Sequence, residues 1–132
     1  MCGLTGLSLA EPFPWAENAL HRMTDAIAHR GPDSDGFHID ARGTSLLGFR
    51  RLAIRDLDPR ANQPMQTASA RTTVAFNGEI YNWRALLDER SLHGVSDGHA
   101  VLPLYHELGP RFPSAIDGEF AIAIVDFSLN EV

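Results

Sequence analysis

The stretch Thr72-Thr73-Val74-Ala75-Phe76-Asn77-Gly78 does most to decide the fold of this 132-residue chain. Residues 72–76 are β-branched or apolar, which is typical of a strand. Asn-Gly follows directly, and this dipeptide is a strong short-range signal for a hairpin turn. The sequence therefore predicts a β-strand over Thr72–Phe76 that reaches a turn at Asn77-Gly78.

Segments on both sides of this stretch also predict strands. Phe120–Val125 is almost wholly apolar, which predicts a strand buried on both faces. After a turn over Asp126–Asn130, Glu131-Val132 looks like the start of the second strand of a hairpin. Three strands are predicted earlier in the chain, the last two joined by a turn at Asp40–Gly43: Gly3–Leu9, Gly36–Ile39 and Thr44–Phe49.

Helical patterns occur in three segments. Apolar residues with helical spacing predict a helix over Trp15–Ala28, with Pro14 in its first turn. Asn82 is expected to cap a short helix through Glu89, and Ser96 or Asp97 a second one through Glu107. Because strands outnumber helices and do not alternate regularly with them, the sequence predicts an α+β fold.

Charge and composition exclude several classes of function. The formal net charge is −6, so an acidic surface disfavours nucleic acid and anionic membranes as partners. No apolar run approaches the roughly 18 residues of a membrane span, and no signal peptide is recognised. The single cysteine permits no internal disulfide and fits a cytoplasmic location. The six histidines show no metal-ligand spacing, so no metal is assigned.

Cys2 is the candidate nucleophile. Methionine aminopeptidases remove Met1 when the next residue is small, and removal leaves a thiol and a free α-amine on one residue. An α-amine with a pKa of about 7.7–8.0 can take the thiol proton. If Met1 stays, this nitrogen belongs to a peptide bond and the mechanism fails. Taken alone, a plain buried or terminal thiol is the commoner interpretation.

The other candidate residues also have ordinary interpretations. Asn77-Gly78 is either a hairpin turn or a pair of oxyanion donors, the Asn77 side-chain amide and the Gly78 N–H. Arg51 is either a solvated arginine or a bidentate clamp for a carboxylate. Glu79 and Asp97 are surface carboxylates or a helix cap, or they bind an ammonium group. Taken together with the thiol, these groups fit a free amino acid that carries a side-chain amide.

Six motifs occur in order over essentially the whole chain: Met1-Cys2-Gly3, His29–Asp33, Arg51–Ile54 with Asp56-Leu57, Gln63-Pro64-Met65, Asn77–Asn82 and Ser96-Asp97. In this order they resemble class II glutamine amidotransferases, in the asparagine synthetase branch. The segment Asp117–Asp126 is similar to a segment of that family rich in Gly, Phe and Ala. Because the six motifs occur together and in order, they outweigh the ordinary interpretations of single residues.

The resemblance implies an N-terminal-nucleophile hydrolase-type four-layer sandwich, with two antiparallel sheets between helices, truncated at the C-terminus. Residues 1–132 would be the N-terminal part of a type-2 glutamine amidotransferase domain, with the remainder and a synthetase domain missing. The implied catalytic residues are Cys2 as nucleophile and Asn77 and Gly78 as oxyanion donors. The implied substrate-binding residues are Arg51 on the glutamine carboxylate, Glu79 and Asp97 on the α-amine, and the segment Leu52, Ala53, Ile54 and Arg55 lining the pocket.

The implied reaction is hydrolysis of the side-chain amide of L-glutamine through a Cys2 thioester. It would give glutamate and ammonia, the latter for an ATP-dependent synthetase domain or chain. No cofactor is expected in this chain, because ATP and Mg²⁺ belong to the missing domain. Asparagine synthesis is the default acceptor chemistry.

Several alternatives stay open. The chain could supply ammonia to amidation of another carboxylate, or be a related hydrolase of a different amide. It could also be a catalytically silent remnant or a partner-binding module, and a homodimer stays open. Two residues depart from the family pattern: Phe49 stands where a histidine is frequent, and His99 where an acid is usual.

Overall fold

The first of two sheets in the protein combines the N-terminal strand with a hairpin. The computed structural model describes residues 2–54, 57–69 and 71–127. Strand β1 (Gly3–Ser8) pairs with β3 (Ser45–Arg51), which pairs on its other side with β2 (Ser34–Ile39), all antiparallel. Helix α1 (Ala16–Ala26) and a 3₁₀ turn (Ala28–Arg30) connect β1 to β2.

The second sheet is built from the later part of the chain. Its strand order is β4 (Met65–Gln66), β5 (Thr72–Ile80), β6 (Gly118–Asp126), again antiparallel. Between β5 and β6 the chain forms α2 (Trp83–Glu89), α3 (Asp97–Leu108) and a 3₁₀ segment (Gly109–Ala115). A further 3₁₀ turn, Pro59–Ala61, precedes β4.

Three apolar clusters define a helix–sheet–sheet–helix sandwich. Ala16 and Leu20 of α1 pack on Leu46 at the outer face of the first sheet. Between the sheets lie four buried residues, with Cys2, Leu4 and Ala123 against them: Leu47, Phe49, Ala75 and Val125. The largest cluster joins β5 to α2, α3 and the following 3₁₀ segment, through residues that include Val74, Phe76, Leu87 and Leu104. The predicted α+β class and the four-layer sandwich are therefore confirmed.

The strand predicted to end at Phe76 is longer than expected. β5 continues through Asn77-Gly78 to Ile80, so the hairpin-turn interpretation of this dipeptide is wrong. The reason is tertiary, because β6 pairs with β5 from Thr72 to Ile80 and holds the dipeptide in the ladder. Gly78 still needs to be glycine. Its φ is 155°, and a Cβ there would overlap the carbonyl oxygen of Glu119.

The last strand is correctly located but not buried on both faces. Within the described part of the chain, β6 lies at the edge of its sheet. Phe120 is 38% exposed and Ala121 is also exposed, while Val125 at the other end is buried. An apolar run alone cannot distinguish a central strand from an edge strand. The turn and second strand predicted after Asp126 involve residues 128–132, which lie outside the described residues.

The helix predictions hold apart from their ends and one cap. α1 begins one residue later than predicted and gives way to the 3₁₀ turn at Ala28. Ser96 caps α3 as predicted, since its Oγ accepts the His99 N–H. Asn82 occupies the N-cap position of α2 but makes no side-chain cap bond. Its amide instead bonds the Ala115 carbonyl and the Asp117 N–H across the sheet end. No helix among the described residues is long and apolar enough to cross a membrane.

Candidate active site

A cavity of about 230 Å³ opens at one end of the space between the two sheets. Arg55, one of the predicted site residues, lies outside the described residues. Ala53 is not among the lining residues, although the resemblance implied that the whole segment 52–55 would be. The cavity brings together eight of the predicted site residues: Cys2, Arg51, Leu52, Ile54, Asn77, Gly78, Glu79 and Asp97.

Strand alternation explains why these side chains converge. On β5, Ala75 packs in the inter-sheet cluster, and side chains two residues apart share a face. Asn77 and Glu79 therefore follow Ala75 toward the other sheet. On β3, Phe49 packs in the same cluster, and Arg51 follows it on that face. The thiol-bearing Cys2, immediately before β1, packs against the same cluster.

Cys2 is held at the cavity wall by backbone contacts. The Leu52 N–H donates to its Sγ at 3.3 Å, and Sγ lies 3.7 Å from the Leu52 carbonyl oxygen. The Cys2 carbonyl accepts a hydrogen bond from Arg30 Nε at 3.0 Å. Position 2 is therefore tied both to the loop after β3 and to the segment after α1.

The run His29–Asp33 anchors this arrangement, a role that the motif resemblance did not assign to these residues. A Cβ at Gly31 would overlap the backbone between Arg50 and Arg51, so the run lies directly against the end of β3. The Asp33 N–H donates to the Arg51 carbonyl at 3.0 Å, and the Asp33 carboxylate accepts the Ala53 N–H at 2.7 Å. The available signal was the motif itself, with Arg30 before Gly31 and Asp33 two residues after it.

The two adjacent arginines have different surroundings. Arg51 is buried, with 8% of its surface exposed. Its guanidinium donates to Asn62 Oδ1 at 2.6 Å and to the Asp58 carbonyl at 3.2 Å. Arg50 points to the opposite face, where it donates to the Thr24 carbonyl and forms ion pairs with Asp25 and Asp35. Only Arg51 is therefore fixed at the cavity.

The register of β5 determines where its N–H groups point. Odd-numbered residues pair toward β6, as the bonds from Phe127 N to the Arg71 carbonyl and from Tyr81 N to the Asp117 carbonyl show. The N–H groups of Gly78 and Ile80 therefore face the opposite edge of β5, along a part of the strand that β4 does not reach. The Ile80 N–H donates to the Asp97 carboxylate at 3.2 Å. The Gly78 N–H faces the cavity, and among the described residues the Asn77 side-chain amide has no hydrogen-bond partner.

Asp97 is supported by backbone donors. Its two oxygens accept the N–H groups of Ile80 and Gly98, the latter at 2.9 Å. His99, which departs from the family pattern, also lines the cavity, and its Nδ1 lies 2.7 Å from Ser96 Oγ. The departure therefore leaves the hydrogen bonds of Asp97 intact. In the described part of the chain, no group of three or more His, Cys, Asp or Glu side chains is arranged to hold a metal ion.

The fold and this cavity together define an amidotransferase type of domain, and comparison with known proteins gives the family. A family model described as "Glutamine amidotransferase domain" matches residues 1–132, and the chain belongs to that family. The resemblance drawn from the motifs is thereby confirmed at the family level.

Named relatives are large proteins. The chain is 40% identical over 140 residues to asparagine synthetase (glutamine-hydrolyzing) 2 of Bacillus subtilis, covering all of this chain and 18% of that protein. It is 38% identical over 108 residues to asparagine synthetase B of Escherichia coli, covering 79% of this chain and 19% of that protein. Amidase chry2 of Gibberella zeae is 38% identical over 111 residues, with 81% and 16% covered. The chain thus spans about a fifth of the length of the curated relatives that it matches.

Proposed function

We propose that this chain hydrolyses the side-chain amide of L-glutamine, with Cys2 as the nucleophile after removal of Met1. The observation that carries the proposal is the convergence of Cys2, Arg51, Asn77, Gly78 and Asp97 on one cavity, although they are distant in sequence. Pockets for drug-sized ligands occupy about 300–1,000 Å³. A cavity of about 230 Å³ therefore suits a ligand as small as an amino acid.

The first step is attack on the amide carbon. The free α-amine of Cys2 takes the thiol proton, and the sulfur adds to the carbonyl carbon of the glutamine side chain. Negative charge then develops on the carbonyl oxygen. The Asn77 amide and the Gly78 N–H donate to this oxygen, and each such donor typically contributes about 10²–10³ in rate.

Collapse of this intermediate breaks the carbon–nitrogen bond. The departing nitrogen takes a proton from the Cys2 ammonium and leaves as ammonia, while the glutamyl group stays on sulfur as a thioester. Water then adds to the thioester, with the α-amine again serving as base. The products are glutamate and the restored thiol.

The other lining residues would orient the substrate. The buried guanidinium of Arg51, held by Asn62, is suited to bidentate recognition of the α-carboxylate. Glu79 and Asp97 supply negative charge for the α-ammonium group. Leu52 and Ile54 supply an apolar wall for the methylene groups. We expect Arg55 to line the same pocket.

The ammonia would pass to an ATP-dependent amide-forming domain or chain, where ATP and Mg²⁺ would bind. The relatives named asparagine synthetase (glutamine-hydrolyzing) support aspartate as the default acceptor. The alternative is that glutamine hydrolysis is the same but the ammonia amidates a different carboxylate. The single cysteine supports a reducing, cytoplasmic location.

Intact mass before and after exposure to a diazoketone analogue of glutamine tests the proposal, together with an assay of ammonia release. We expect loss of Met1 and one covalent adduct. Since Cys2 is the single cysteine, Cys2→Ala should remove both the adduct and ammonia release. Arg51→Lys is the matched control for binding, because it keeps the charge and loses the planar fork. It should need more analogue for the same labelling.

Either of two results would overturn the proposal. Full ammonia release from Cys2→Ala would exclude the thioester mechanism. A protein that has lost Met1 but neither takes the adduct nor releases ammonia would instead indicate a silent remnant or binding module of the same fold.

A further inference from the structure

The segment before β4 interacts with β5 beyond the two-residue strand itself. Met65 pairs with Val74 and Gln66 with Thr73. The same antiparallel register, extended backward, sets Gln63 opposite Phe76. Pro64 stands between the two segments, and the partner of the Phe76 backbone is the side chain of Gln63.

The Gln63 side chain takes over this pairing. Its Oε1 accepts the Phe76 N–H at 2.6 Å, and its Nε2 donates to the Phe76 carbonyl at 3.0 Å. A primary amide carries the same acceptor and donor as a peptide group, so it can replace one rung of the ladder. Gln63 also lines the cavity.

The loop that carries Gln63 is itself fixed. A Cβ on Gly36 of β2 would overlap the Gln63 carbonyl oxygen, so the two backbones are in direct contact. The hydrogen bonds between Gln63 and Phe76 are therefore anchored to the first sheet as well as to the second. Phe76 immediately precedes Asn77 in the sequence.

Gln63 and Asp97 flank the Gly78 N–H on the open edge of β5. The three N–H groups on this edge belong to Phe76, Gly78 and Ile80, and the outer two donate to Gln63 and Asp97. We infer that Gln63 is a positioning residue that holds Asn77 and Gly78 where a developing oxyanion needs them. This inference rests on the proposed function.

A positioning role has a specific kinetic consequence. Charge develops on the substrate oxygen only on the way to the transition state, so a misplaced donor lowers kcat more than it weakens substrate binding. Misplacement by about 1 Å costs on the order of 10²-fold in rate. Loss of the Gln63 rung should therefore lower kcat about 10- to 100-fold and leave KM for glutamine little changed.

Two variants and two matched controls test this inference in the full chain. Gln63→Met keeps length and loses both hydrogen bonds, while Gln63→Glu keeps an acceptor for the Phe76 N–H and loses the donor. The controls Gln66→Met and Gln66→Glu make the same changes three residues away, where the exposed side chain bonds His38 and Thr73 instead. The readouts are kcat, KM, thermal unfolding and the amide NMR shifts of Asn77 and Gly78.

We expect both Gln63 variants to lose kcat at nearly constant KM and to shift the two amide resonances, while the Gln66 variants do neither. Wild-type kcat in both folded Gln63 variants, or unmoved Asn77 and Gly78 resonances, would overturn the inference. Equal losses in the Gln63 and Gln66 variants would also overturn it. A wild-type protein without ammonia release would instead refute the proposed function, and the amide resonances would still test the position of Gly78.

Discussion

In both the β2–β3 turn and the open edge of β5, side-chain oxygens accept backbone N–H groups that have no strand partner. The two places differ in how far along the sequence these acceptors lie from the donors. At the turn, Asp40 accepts the N–H groups of Thr44 at 2.6 Å and Ser45 at 2.8 Å, no more than five residues away. On β5, the acceptors come from Gln63 and Asp97, which are 13 and 17 residues from their donors.

The difference separates a contact that stabilises the fold from one that also shapes a site. The Asp40 turn is complete in itself, and its side chain is not among those lining the cavity. The β5 edge depends on two other parts of the chain, and it leaves the Gly78 N–H facing the cavity. We therefore expect matched changes in the two places to affect different measurements.

The largest effect should come from Asp97→Asn. This change keeps the size and one oxygen acceptor for the Ile80 or Gly98 N–H, but it removes the charge. Because a hydrogen bond to a charged group contributes about 1.5–3 kcal/mol, KM for glutamine should rise roughly 10- to 100-fold. Steady-state ammonia release measures KM, and thermal unfolding should show a modest loss of stability, because one of the two backbone N–H groups loses its acceptor.

Asp97→Glu is the control, since it restores the charge on a longer side chain and should recover part of the binding. If Asp97→Asn lowers the melting temperature and leaves KM unchanged, Asp97 acts only as a structural acceptor. The comparison between the two regions would then fail.

A smaller effect, on stability alone, is expected for Asp40→Asn. Burial by itself would raise the pKa of Asp40, but N–H groups of Ser45, Thr44 and Arg42 bond its carboxylate and together hold that pKa below the ordinary 3.8. The charged form is therefore the stabilising one. Asp40→Asn should lower the free energy of unfolding by about 1–3 kcal/mol, measured by urea denaturation.

The lowered pKa of Asp40 also predicts how the stability of the protein changes with pH. A carboxyl with a lowered pKa in the folded state stabilises the protein above its ordinary pKa, and the contribution is lost as the pH falls through the folded value. Asp40→Asn should remove that part of the acid-induced loss while KM for glutamine stays unchanged. A clear rise in KM would show that the turn is coupled to the cavity.

The smallest effect should be a shallow pH dependence of stability from His38. Burial lowers the pKa of His38 below its ordinary 6.5, against the opposing charge of Asp40. The unfolded chain therefore binds this proton first, and stability should fall as the pH drops below about 6.5. The ring nitrogens lie 2.7 Å from Gln66 Nε2 and 3.4 Å from Thr73 Oγ1, so the contact joins the two sheets.

Urea denaturation across this pH range, for the wild type and for His38→Gln, measures the contribution. The wild-type curve should fall more steeply than the variant curve below pH 6.5. Parallel curves would show that another group carries the dependence.

Sequence reasoning located most elements and most candidate site residues, and its errors share one cause. Asn77-Gly78 looks like a turn locally but lies within β5, because β6 pairs across it. Asn82 has the residue type of a helix cap but bonds Ala115 and Asp117, brought near by the return of the chain at β6. In both cases a partner 33 or more residues away outweighs the local preference.

The missed residues have the same origin. Arg30, Asp33 and Gln63 bond Cys2, Ala53 and Phe76, which are 13 to 28 residues away in the sequence. Their residue types alone suggest a turn and a loop, since a hydrogen bond to a distant backbone group has no periodicity to detect. The motif order indicated that these segments matter, without indicating what they contact.

The sequence by itself determined the α+β class, the order of most elements, the family and the set of candidate site residues, because periodicity, turn chemistry and ordered motifs are local properties. Tertiary structure alone decided that Arg50 turns to the opposite face, where it pairs with Asp25 and Asp35, and that the Gly78 N–H faces the cavity between Gln63 and Asp97. The physical reason is that strand register fixes which face each side chain takes and which edge each N–H takes, and register is set by pairing between distant segments.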